Sequence, residues 1–130
     1  MNPPSFDIAA MIVDSSEGTL GTNLFVANLP DTPNLCTCIY DTGGFEIINP
    51  EHLSHELPTV QVIVRGLPSA YTTIWNKAKN VRNAILGYSN TVVNSTKYIG
   101  IFVLSDITFI KRDKRRRPLF SFNLRIIRSE

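Results

Sequence analysis

Three groups of residues in this chain have types and spacing that could do chemistry. The first is the run from Lys111 to Arg117, in which Lys111, Arg112, Lys114, Arg115, Arg116 and Arg117 are basic and only Asp113 interrupts them. Charge of that density must face solvent or an anionic partner, phosphate or carboxylate. No aromatic residue is interleaved, so there is no base-stacking platform, and contact with nucleic acid would go to phosphates and not to sequence. On charge alone the run also fits a solvated turn or a standalone nucleic-acid-binding module. The second group, Glu51-His52 with His55-Glu56, has the side chains that bind zinc, but in a loop whose geometry nothing fixes, so a polar loop is the reading adopted. The third, Gly43-Gly44-Phe45, imitates a phosphate loop without the lysine or helix start that one needs. Its glycines are read as a backbone turn that sets Phe45 against the core or a neighbour.

No nucleophile elbow, phosphate-binding glycine loop or metalloprotease helix motif is present, and the chain has only two histidines. The expectation is therefore a protein that is not an enzyme, with no catalytic residue, cofactor or metal. Cys36 and Cys38 alternate along an expected strand and so share a face, a poor arrangement for a disulfide between them and only half of a four-ligand zinc site. They are read as small buried or half-buried thiols.

These groups must be held by a folded frame. With 43% hydrophobic and 18% charged residues, the composition is that of a globular protein, and 130 residues make one domain, 1–130, with a real core. The apolar stretch from Tyr98 to Leu104 is far shorter than the roughly 20 residues of a membrane span. Met1-Asn2-Pro3-Pro4 lacks the regions of a secretory signal, so synthesis in a reducing cytoplasm is expected.

Along the chain, a helix is expected from about Phe6 to Ser16, capped by Ser5 and burying Ile8, Met11 and Ile12. Strands Asn23–Ala27 and Leu35–Tyr40 flank a proline-rich turn and read as a hairpin. Residues 41–58 form a long connection suited to binding or subunit contact. Val60, Val62 and Val64 alternate into a strand that Gly66 stops. A second helix runs from Tyr71 to Leu86, with Tyr71, Ile74, Trp75, Ala78, Val81 and Ile85 facing the core and Gly87 closing it. Tyr98–Leu104 reads as a central strand covered on both sides, followed after Ser105-Asp106 by a strand from Ile107 to Arg112. Phe120, Phe122, Leu124 and Ile126 alternate in the last strand. The basic run then lies at a hairpin tip anchored by both arms.

The succession Tyr40-Asp41-Thr42-Gly43-Gly44-Phe45, Asn49-Pro50, Leu57-Pro58-Thr59-Val60-Gln61-Val62-Ile63-Val64-Arg65-Gly66, the helix beginning at Tyr71, and Arg117-Pro118-Leu119-Phe120-Ser121-Phe122-Asn123-Leu124 resembles the tail terminator or minor capsid proteins of long-tailed (siphovirus-type) bacteriophages. The resemblance implies an α+β fold: a mixed, mainly antiparallel β-sheet with two helices packed against it and a projecting basic β-hairpin. It also implies a virion protein, made in the host cytoplasm, that caps the head-proximal end of the tail tube as a hexameric ring. Its partners would be further copies of itself, the tail tube protein, the head-completion protein and the genomic DNA passing through the lumen, with no membrane involved. A head-completion or connector subunit of the same virion is the neighbouring alternative. Closed rings use two different patches per subunit. The loop with Gly43, Gly44, Phe45, Ile47 and Ile48 is accordingly expected to meet a neighbouring subunit, and the basic hairpin to face a partner or DNA. The dense basic tip and Ile47-Ile48 depart from the usual pattern of that family.

Overall fold

The computed structural model describes residues 1–44 and 55–129. A helix α1 (Pro4–Asp14) leads to strands β1 (Leu24–Val26) and β2 (Cys36–Gly44). After β3 (His55–Glu56) and β4 (Pro58–Arg65) comes helix α2 (Tyr71–Leu86), then β5 (Thr91–Val93), β6 (Thr96–Arg112) and β7 (Pro118–Ser129). The strands make one sheet in the order β1-β2-β4-β7-β6-β5, with β3 paired to the end of β7. All pairings between named strands are antiparallel except β1 with β2. The fold is α+β, as expected.

Both helices lie on one face of the sheet, α1 against β1, β2, β4 and also β5, and α2 against β4, β7 and β6. The alternation in β4 and β7 explains the core: Val60, Val62 and Val64 stand opposite Leu124, Phe122 and Phe120, and all six are buried. Ile8, Met11 and Ile12 of α1 and Ile74, Ala78, Val81 and Ile85 of α2 close over them. Burying each of the larger aliphatic side chains contributes about 1.5–3 kcal/mol.

Several expectations are corrected. Helix α1 begins at Pro4, two residues before Phe6, and Ser5 does not cap it. Instead the Ser5 hydroxyl and backbone N–H donate to the Asp41 carboxylate at 2.6 and 3.0 Å, tying α1 to β2. Strands β1 and β2 are parallel and not a hairpin, with Leu24 beside Thr37 and Val26 beside Ile39. The connection between them is folded back by Arg65, whose guanidinium donates to the carbonyls of Pro30, Pro33 and Asn34. That cover buries Cys36 and Cys38, which are free thiols as expected, and burial raises the pKa of both.

Two strands expected around Ser105-Asp106 are one, β6, which crosses that point through shifts in register against β7. Nor is its first part covered on both sides: β4 and β7 hold the centre of the sheet, and Ile99, Phe102, Val103 and Leu104 are exposed. Of the residues expected on the buried face of α2, Trp75 and Tyr71 remain 37% and 44% exposed. The stripe that buries is Ile74, Ala78, Val81 and Ile85, which leaves Tyr71 and Trp75 at its margin.

Candidate interface: the basic turn and the outer strand

The turn between β6 and β7 is built around its one acid. Asp113 accepts backbone N–H bonds from Arg115 and Arg117 at 2.9 and 3.0 Å, and its second oxygen lies 2.8 Å from the Arg117 Nε. The turn closes through Arg116 N–H to the Asp113 carbonyl and Asp113 N–H to the Arg117 carbonyl, with Arg116 at φ 63°. Burial opposes the charge of Asp113, but the bonds from Arg117 and Arg115 prevail and hold its carboxyl below the usual range.

Arg117 differs from the other basic residues. It is 2% exposed, and its guanidinium reaches both the Asp31 carboxylate at 2.9 Å and the Asp31 carbonyl at 2.6 Å. Desolvation works against its charge, yet Asp113 and Asp31 keep its pKa above the ordinary value. Next to it Arg65, also buried, has its pKa lowered by desolvation and by the Arg117 charge.

The expectation that the whole run faces solvent or a partner is therefore corrected at Arg117, which is buried. Arg117 is a fixed anchor, Arg115 pairs with Asp31 at 2.7 Å, and Arg112 donates to the carbonyls of Pro68 and Arg116. The anchors and pairs leave Lys111, Arg112, Lys114, Arg115 and Arg116 on the surface, where the sequence placed them. Asp31 and Arg65 were missed as parts of this site. A lone Asp inside a basic run was the available signal for Asp113; nothing local marks Asp31, which comes from 86 residues away.

Beyond the turn, β6 presents a second feature. Strand β5 covers its outer edge only from Thr96 to Tyr98. From Gly100 to Arg112 that edge has no strand partner among the described residues. Phe102, Val103, Leu104, Phe109 and Ile110 along it are exposed. Phe109 packs against Phe120 and Tyr71, with ring centroids 5.8 and 5.6 Å apart, so this part of the strand is supported from beneath.

Of the expected subunit-contact loop, Gly43 and Gly44 end β2, while Phe45, Ile47 and Ile48 lie outside the described residues. Gly44 has φ 152°, and a side-chain carbon there would sit 2.4 Å from the Leu57 carbonyl oxygen. Glu51 and His52 also fall outside. Glu56 is engaged by Arg128 at 2.9 Å. Among the described residues no group of three or more metal-ligating side chains converges, and no helix is long and apolar enough to cross a membrane.

Compared with known proteins, residues 11–130 match the family model described as bacteriophage tail terminator protein. No curated protein matches the chain.

Proposed function

We propose that this chain, which belongs to the bacteriophage tail terminator family, closes the head-proximal end of the tail tube as a ring of identical subunits and offers the surface on which the head is joined. The family is structural and its members are virion components. The match over residues 11–130 carries the reading. The geometry supports it in a physical sense, because a terminator must present a surface that keeps its shape when a partner arrives. Ordering a flexible side chain on binding costs about 0.5–1.5 kcal/mol each, and a turn already fixed by Asp113, Asp31 and Arg117 avoids part of that cost.

In this reading Lys111, Arg112, Lys114, Arg115 and Arg116 meet an acidic protein surface at the joint or the phosphates of DNA in transit. Gly43 and Gly44 lead into a segment that meets the neighbouring subunit. A head-completion or connector subunit of the same virion is the nearest alternative, and a nucleic-acid-binding module the next. Five phosphate contacts would give binding to free duplex a log–log salt slope of about −4.5. A head-to-tail joint predicts weak affinity for free duplex. Electron microscopy of the purified protein mixed with isolated tail tubes tests the proposal: density confined to one tube end supports it, and decoration along the tube length refutes it.

A further inference from the structure

Arg65 carries a charge that the fold leaves without a counter-charge. It is 3% exposed, and its Nε and one terminal nitrogen donate to the carbonyls of Asn34, Pro30 and Pro33, which are neutral acceptors. The other terminal nitrogen makes no hydrogen bond among the described residues. None of their side-chain nitrogens is both buried and unpartnered, so this one is open to solvent. A buried guanidinium is as a rule paired with a carboxylate. Here desolvation and then the like charge of Arg117 lower its pKa, outweighing the influence of Asp113 and Asp31.

Arg65 lines a cavity of about 470 Å³ at the β6–β7 turn. The two carboxylates of that cavity are already engaged: Asp31 pairs with Arg115 at 2.7 Å and with Arg117 at 2.9 Å, and Asp113 pairs with Arg117 at 2.8 Å. Arg65 and two further lining residues, Lys111 and Lys114, form no ion pair among the described residues. Leu29 and Leu119 add an apolar wall. Three cations without a counter-ion and an apolar wall around one opening make a receptor for an anion carried on an apolar body.

We propose that this cavity binds an acidic peptide segment of a partner protein, whose Asp or Glu carboxylate meets the free terminal nitrogen of Arg65 while Lys111 and Lys114 close over it. Duplex phosphates lie on a convex cylinder and are met by projecting side chains, and a guanidinium 3% exposed does not project. A carboxylate on a protruding loop enters a recess that a duplex cannot, and its apolar neighbours find Leu29 and Leu119. Another copy of this chain does not supply the acid from its described surface, because every described Asp and Glu is engaged within its own subunit. The assignment deepens the joint proposed above: it takes from that reading that a partner protein arrives, and it adds the residues that receive it.

The probe is the blocked tripeptide N-acetyl-leucyl-glutamyl-leucinamide, set against its glutaminyl counterpart and a short DNA duplex, each titrated into the full chain at low salt. Binding is followed by calorimetry and by the Nε–H signal of Arg65 in nitrogen–proton NMR. Arg65→Lys assigns that signal by removing it; if this variant does not fold, the assignment is made through bonds in the wild type. Two double variants with the same loss of charge are compared, Lys111→Gln with Lys114→Gln on the cavity and Lys79→Gln with Lys97→Gln away from it. The glutamyl peptide is expected to bind at least about tenfold more tightly than the glutaminyl one and to move the Arg65 signal. The cavity variant is expected to lose about three- to tenfold in affinity, and the distant variant to bind as the wild type does. Equal or absent binding of the two peptides, or an Arg65 signal that stays in place, would overturn the site and leave the tail-end role standing. Equal losses in the two double variants would reduce the effect to general attraction between opposite charges and overturn it as well. A duplex that moves the Arg65 signal where the glutamyl peptide does not would give the site to DNA phosphates and overturn the proposed occupant.

Discussion

Arg117 and Asp31, 86 residues apart, are joined by a 2.9 Å ion pair that locks the β6–β7 turn onto the β1–β2 connection. Together with Asp113 and Arg65, it turns what reads as a loose basic tip into a stiff corner of the molecule. Replacing Arg117 with Ala should destabilise the protein by about 2–3 kcal/mol, since it removes the charged hydrogen bonds that this buried side chain makes to Asp113 and Asp31. Lys114→Gln, at an exposed position, should stay within about 0.5 kcal/mol of wild type. Urea denaturation of both variants decides the point, and equal stability would deny Arg117 its anchoring role.

Acid should loosen the same corner. The Asp113 carboxyl is held below its ordinary value of 3.8 in the fold, so its contribution to stability is complete above that value and is lost as pH falls through the depressed pKa. Asp113→Asn should therefore be less stable than wild type near neutral pH, with the gap closing as the pH drops below about 4. Melting curves from pH 7 to pH 2 measure it; a gap that stays constant across the series would contradict the assignment.

The partly exposed Trp75 makes a second contrast. Its alanine variant should cost about 1 kcal/mol, whereas Ile85→Ala, at a fully buried position, should cost about 2–5 kcal/mol. Lys79 lies 5.4 Å from the Trp75 ring centre, so Lys79→Ala should shift the tryptophan emission. Emission already typical of a fully buried ring would contradict this placement.

At the end of β2, Gly44→Ala should be costly out of proportion to its size, by about 1–3 kcal/mol, because the added carbon meets the Leu57 carbonyl oxygen. Thermal melting of that variant beside Gly21→Ala, where no atom lies within 4 Å, separates crowding from the strain of positive φ that both share.

Local periodicity made much of the frame legible. The valine alternation of β4, the Phe120-to-Ile126 alternation of β7 and the span of α2 follow from side-chain spacing that only one element type can bury. What was not legible depended on distant partners. Nothing in Asn23–Tyr40 says that Arg65 will fold the connection back and make the strands parallel. Ser5 reads as a cap until Asp41 is brought beside it. On an amphipathic helix the buried stripe and its margin share one periodicity, so Trp75 could be placed on the stripe without a clash in the pattern. The basic run was visible as charge, while the separation between Arg117, held inside, and its five neighbours outside is a property of the Asp31 and Asp113 positions alone.

The role proposed for this protein is to end the tail tube. Tails assembled with the wild-type protein, tagged by a labelled antibody fragment and imaged by electron microscopy, test it most directly. Label is expected at one end only, the end that joins the head, in a ring of several copies; label spread along the tube, or tubes of unchanged length and joining competence when the protein is omitted, would contradict this role.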